Sequence, residues 1–311
     1  MEQPMRHLCE ANEYSTRKLE ALKKGFLRYS GDPVCAVTVG SFARKEATAQ
    51  SDLDYFVITD DEILGREVLA RFPELLRKHE IRSPSAGGAF GGLTGGEELV
   101  NNVGGKDDDN DSLTQRLLFL MESECLTGSD IYEQIQDNLI SVYVKDSITE
   151  HQICKFLLND LIRYYRTICV DFEYKTCELS RSWGDRNIKL MFSRKLMFFS
   201  GLLVVAQTAQ STASQKKAVL KYFFNRAPID RVREICGSRS DAALRLYSEF
   251  IGCIGDEEHR RVLNKTNMNR ETHSEEFRTQ KNKGHHFTWA LSKLLTDTFD
   301  EAHPIHLALK F

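Results

Sequence analysis

Two short apolar runs, Val34-Cys-Ala-Val-Thr-Val39 and Asp54-Tyr-Phe-Val-Ile58, flank the segment Gly40-Ser41-Phe42-Ala43-Arg44-Lys45-Glu46-Ala47-Thr48-Ala49-Gln50-Ser51-Asp52-Leu53-Asp54. The runs are β-rich and bounded by Pro, Gly and Asp, so they read as two buried strands. Phe42–Ala49 reads as one or two helical turns between them. A strand that ends in Gly-Ser and enters a helical turn offers backbone N–H groups and a hydroxyl, a combination suited to phosphate oxygens. Alternate residues of a strand share a face, so Asp52 and Asp54 present two carboxylates side by side. Such a pair repels itself unless a cation neutralises it, and hard oxygen ligands of this kind suit Mg²⁺ together with substrate phosphates. An isolated Asp-x-Asp is more often a turn cap and a solvated strand end. The Gly-Ser turn at this distance, with strands on both sides, favours the metal and phosphate reading.

The rest of the chain sets the frame. At 311 residues, with 41% hydrophobic and 28% charged residues, it has the composition of a globular protein of one large or two ordinary domains. Residues 5–29 carry Leu8, Leu19, Leu22, Phe26 and Leu27 in a helical pattern. Asp60–His79 reads as a helix that Pro73 kinks or interrupts. Paired glycines crowd residues 83–112, where each interior Gly would cost a helix about 1 kcal/mol relative to Ala. A short strand or hairpin near Ala86–Leu93 and then loop is expected there, either as plain linker or as a ligand-facing segment. Leu113–Leu126 and Ser129–Val144 look helical. From residue 148 onward the pattern is almost wholly helical, with further helices at Arg186–Ala209, Ala218–Phe224, Ile229–Ile235, Ala242–Ile251 and Phe287–Thr298. Asp256–Asn282 reads as a solvated connector or a helix end. The expectation is an α+β protein: an N-terminal α/β domain with a mixed sheet over residues 1–147, and an all-α domain over 148–311.

The segment from Gly40 to Asp54 resembles the signature of the DNA polymerase β-like nucleotidyltransferase superfamily. It is closest to the bacterial PII-uridylyltransferase type and to related nucleotidyltransferases found beside cyclic-nucleotide-binding modules. Gly40, Ser41, Ala43, Arg44, Glu46, Ser51, Asp52 and Asp54 match that pattern position for position. A looser likeness extends to Glu97-Glu98-Leu99 and to Leu118–Ser129. The resemblance implies transfer of a nucleoside monophosphate from an NTP to an acceptor hydroxyl, with release of pyrophosphate. It makes Asp52 and Asp54 ligands of Mg²⁺ or Mn²⁺ and catalytic, and it sets Gly40 and Ser41 against the β- and γ-phosphates, with Ser51 among the nucleotide-binding residues. Arg44 either pairs with phosphate as a planar fork or is salt-bridged to Glu46 or an Asp. The superfamily adds a third carboxylate on a later strand. Glu80, Glu97, Asp107–Asp109 and Glu122 are candidates, with Glu122 taken as the catalytic one. The acceptor is expected to be a protein side chain, with tRNA or a small molecule as alternatives. Two other readings stand beside the enzyme: a catalytically degenerate nucleotide-binding or scaffold module, and a toxin or defence nucleotidyltransferase.

Other signals are weaker. Arg186 and Lys189, three apart on a helix beside Trp183 and Phe192, are candidate phosphate contacts, against the alternative of a merely solvated basic face. Lys216, Lys217, Lys221, Arg226, Arg231 and Arg233 form a second basic region that reads as solvated. His285-His286 do not point together on a helix and make a poor metal pair. Net charge of −3 disfavours wrapping of long nucleic acid. Eight cysteines without a Cys-x-x-Cys pair suit reduced thiols in a cytoplasmic protein. The N-terminus lacks an apolar core like that of a signal peptide. Leu196–Ala206 is too short to cross a bilayer, so no membrane contact is expected. The apolar helices leave room for a homodimer.

Overall fold

A computed structural model describes residues 5–84, 92–101, 103–178 and 182–310. The expected strand or hairpin near Ala86–Leu93 lies largely outside these residues, as does Arg181. The chain divides into two compact units. One comprises Glu10–Thr149 and Ser211–Ala227; the other comprises Met1–Cys9, Glu150–Gln210 and Pro228–Phe311.

The first unit is built on a four-stranded mixed sheet. Its strands are β1 (Cys35–Val39), β2 (Asp54–Ile58), β3 (Leu93–Thr94) and β4 (Ser123–Thr127), in the spatial order β3-β2-β1-β4. β1 is antiparallel to both β2 and β4, and β3 runs parallel to β2. Helices α1 (Arg6–Phe26) and α2 (Glu62–Lys78) supply Leu19, Leu22, Phe26, Val68, Phe72, Leu75 and Leu76 to a core shared with Ala36, Tyr55, Val57 and Leu126. Tyr55 stacks on Phe72 with ring centroids 3.7 Å apart. Helices α4 (Asn110–Glu122) and α5 (Ser129–Tyr143) pack on β1 and β4. Short α3 (Gly96–Val100) and α9 (Ala213–Phe224) complete this unit.

Two sequence expectations change here. Pro73 sits inside α2 without interrupting it. The helix expected over Leu113–Leu126 stops at Glu122, and the next five residues form β4. That strand carries one β-branched residue, so its propensity is weak; pairing with β1 overrides it. Gly128 ends the strand at φ +76°, where a Cβ would lie 2.1 Å from the Val34 carbonyl oxygen, so only glycine fits.

The second unit is all helical: α6 (Lys155–Cys177), α7 (Trp183–Lys189), α8 (Lys195–Ala206), α10 (Pro228–Cys236), α11 (Asp241–Gly255), α12 (Glu257–Lys265), α13 (Glu275–Thr298) and α14 (Pro304–Ala308). A π-helical turn, Leu190–Arg194, joins α7 to α8. Almost every residue of α8 is buried, as expected of a central helix that is apolar all round. No helix among the described residues is long and apolar enough to cross a membrane. The stretch 256–282, expected as a solvated connector or a helix end, holds α12 and the first turns of α13. Both helices are capped by acidic or hydroxyl side chains, Asp256 and Ser274.

Candidate active site

The turn after β1 is set by its own hydrogen bonds. Gly40 sits at φ +74°. The Arg44 N–H donates to the Gly40 carbonyl at 2.9 Å, and the Lys45 N–H to Phe42 at 3.1 Å. The Glu46 N–H donates to Ser41 at 2.9 Å. The last two bonds, with Lys45 at φ +59°, make a Schellman closure with lysine where glycine is usual. The expected helical segment is therefore a single turn. Lys45 is pinned by an ion pair with Glu124 at 3.0 Å, and Lys23 reaches the same carboxylate at 2.6 Å. Burial alone would raise the Glu124 carboxyl, but these two ammonium groups outweigh it and hold it below its ordinary range.

From Ala47 onward α1 takes over the support. The fully buried Ser15 hydroxyl accepts from the Ala47 N–H at 2.9 Å and donates to the Ala11 carbonyl at 2.7 Å. The Ser51 hydroxyl accepts from the Thr48 N–H at 3.0 Å and so closes the next turn. The N–H groups of Ser41, Phe42 and Ala43 give no backbone hydrogen bond among the described residues, as expected of the first positions of a helical turn.

The acidic pair follows. Leu53 is buried completely in the core shared with α1 and α2. Asp52 and Asp54 flank it and are half-buried, which fits an alternating backbone that turns them away from that core. Asp54 opens β2 opposite Val39, the last residue of β1. Its carbonyl accepts from the buried Thr38 hydroxyl at 2.7 Å. A Cβ built on Gly40 would lie 3.2 Å from Asp54 Oδ2. Asp52 is held one step earlier by a bridge to Arg82. Sheet register thus brings Gly40, Ser41, Asp52 and Asp54 to one end of the β1–β2 pair.

Arg44 and Glu122 pair with each other. Arg44 is buried; its Nε reaches Glu46 at 2.6 Å and its Nη1 reaches Glu122 at 2.5 Å. The salt-bridged alternative that the sequence left open for Arg44 is the one observed, with Glu46 and Glu122 as its partners. Among the other third-carboxylate candidates, Asp108 is buried in a bidentate pair with Arg116 at 3.0 and 3.1 Å, and Asp109 caps α4.

Arg186 and Lys189 belong to the helical unit. Lys189 pairs with Asp185 at 2.8 Å. Trp183 stacks on His273 at 5.5 Å, and Phe192 is buried against Phe250 at 4.6 Å, so the Phe192 ring is not presented as a base-stacking platform. The second basic region is largely committed: Lys217 pairs with Asp146, Lys221 with Asp137, and Lys216 and Arg231 are buried. Sequence reasoning missed Ser15 and Lys45. A serine within an apolar helical stripe is the only signal of the first; the second has none.

Residues 1–79 match the family described as "Putative nucleotidyltransferase DUF294". The matched stretch includes β1, β2 and the whole Gly40–Asp54 segment, and it supports a nucleotidyltransferase as the class of protein. No curated protein matches the chain.

Proposed function

We propose that the chain is a metal-dependent nucleotidyltransferase that moves a nucleoside monophosphate from an NTP to a hydroxyl of a protein side chain. The observation that carries this reading is the approach of Gly40 to Asp54 Oδ2 across the β1–β2 end. It sets the Gly-Ser turn, whose first residue carries no Cβ, directly beside the Asp54 carboxylate. The donor set is two half-exposed carboxylates on hard oxygen, which fits Mg²⁺ or Mn²⁺. Bound there, the cation would neutralise charge on the triphosphate and the leaving pyrophosphate. The N–H groups of Ser41, Phe42 and Ala43 and the Ser41 hydroxyl would cradle the β- and γ-phosphates. Asp52 and Asp54 would fix the metal-bound triphosphate so that the acceptor oxygen meets the α-phosphorus in line. The new P–O bond forms there as the bond to the bridging oxygen breaks, pyrophosphate departs and the hydroxyl proton passes to solvent.

One observation favours a second reading. With the Glu122 carboxylate buried on Arg44, a nucleotide-binding module without turnover is the alternative. Incubation of the full chain with each α-³²P-labelled NTP, Mg²⁺ or Mn²⁺ and a cell extract tests both. Label on protein bands that vanishes with Asp52→Asn supports the proposal. Label on RNA or a small molecule would move the acceptor class. NTP binding without transfer or pyrophosphate release would support the second reading.

A further inference from the structure

On the sheet face that carries α4 and α5, two cysteine thiols meet. Cys35 opens β1 and is completely buried; Cys125 lies on β4 and is partly accessible. Cys125 is registered against Val37, two residues from Cys35 and on the same face. An irregularity follows in β4, where Ala36 pairs with Thr127, so Leu126 is the extra residue. Such a bulge bends its strand and re-aims the side chains beside it. Here it leaves the Cys35 and Cys125 side chains as neighbours on that face, close enough for each to shift the ionisation of the other. The Cys125 thiol also contacts the Thr127 carbonyl at 3.3 Å.

We propose that Cys35 and Cys125 form an oxidant-sensitive pair, with Cys125 as the thiol that reacts with peroxide and Cys35 as the thiol that resolves it into an intramolecular disulfide. Nothing in this inference depends on the nucleotidyltransferase reading.

The environments of the two sulfurs assign the roles. The neighbouring Cys35 thiol, aided by the Lys23 ammonium, holds the Cys125 thiol below its ordinary range. The Cys125 thiol, together with burial, pushes Cys35 well up. Thiolate character and access select the attacking sulfur. The Cys125 thiolate attacks one peroxide oxygen; the O–O bond breaks, hydroxide leaves and takes up a proton, and Cys125 becomes a sulfenic acid. The Cys35 sulfur then attacks the Cys125 sulfur, the S–O bond breaks, and the sulfenic oxygen leaves as water with the Cys35 proton. Two thiols and one hydrogen peroxide give one disulfide and two waters. The closed loop would contain the whole Gly40–Asp54 segment, so the oxidised chain should unfold at a higher temperature than the reduced one.

The test uses the full chain, reduced and then exposed without denaturant to hydrogen peroxide at near-equimolar amounts. Remaining thiols are alkylated after unfolding, and the digest is mapped without reductant. The expected result is a peptide linking Cys35 to Cys125, lighter by two hydrogens than the separate peptides and lost on reduction. It should form before Cys177, the exposed cysteine, is consumed. In Cys35→Ala the intermediate should be trapped by dimedone on Cys125. Where that variant does not fold, the map of the unmodified chain decides alone. Recovery of both Cys35 and Cys125 as alkylated thiols while Cys177 is oxidised would overturn the proposal, as would linkage of either to a different cysteine.

Discussion

The α-carbon of Gly40 and the carboxylate of Asp54 face each other across the end of the β1–β2 pair: a Cβ on Gly40 would stand 3.2 Å from Asp54 Oδ2, close enough that the carboxylate would have to give by a few tenths of an ångström. Gly40 also lies at φ +74°, a conformation that costs an L-residue about 1–2 kcal/mol. Gly40→Ala should therefore lower stability by about that amount and, in addition, displace Asp54. The expected outcome is a folded protein whose metal-dependent NTP affinity falls at least tenfold. Thermal unfolding and titration calorimetry on the same sample separate the two effects.

The Arg44–Glu122 pair gives a different signature. Its side chains are 7% and 0% exposed. Removing one charge from such a pair leaves the other buried and poorly compensated, at a cost of about 3 kcal/mol. Glu122→Gln should show that cost as a fall in the denaturant midpoint. A residue acting only as the third catalytic carboxylate would leave stability nearly unchanged and lower turnover alone.

Ser15 supports the same turn from α1. Ser15→Ala leaves the buried Ala47 N–H without its acceptor, at a cost of about 1–3 kcal/mol. Urea unfolding should detect the loss, and Ser15→Thr should restore part of it through its hydroxyl.

The pH dependence follows from Glu124. Burial opposes ionisation, but Lys45 and Lys23 bring the carboxyl below its reference value of 4.5. A carboxyl with a depressed folded value contributes stability that is complete above the unfolded value and lost as pH falls through the folded one. Glu124→Gln should be less stable than the parent at neutral pH by about 1 kcal/mol. The two stability curves should converge on acidification below about pH 4.5. Curves that stay parallel through that range would contradict the assignment.

Much of the site was legible because it is local. The apolar runs fix β1 and β2, and the Gly-Ser and Asp-x-Asp positions lie within one connection, so strand pairing alone brings Asp54 beside Gly40. What escaped the sequence depends on distant partners. β4 is a strand only because β1 offers it a ladder. Glu122 reads as an available carboxylate until Arg44, 78 positions earlier, is seen to occupy it. Lys216 and Arg231 read as part of a solvated basic face, yet both are buried by packing that the sequence does not display. The bulge that joins Cys35 to Cys125 has no sequence signature at all.

The most direct test of the metal and phosphate site is the affinity for a non-hydrolysable NTP with and without Mg²⁺, compared between the parent chain and Asp52→Asn/Asp54→Asn. The double variant should remain folded, since removing two neighbouring like charges relieves repulsion. It should lose the Mg²⁺-dependent part of NTP binding entirely. Unchanged metal-dependent affinity in a folded double variant would contradict the assignment of Asp52 and Asp54.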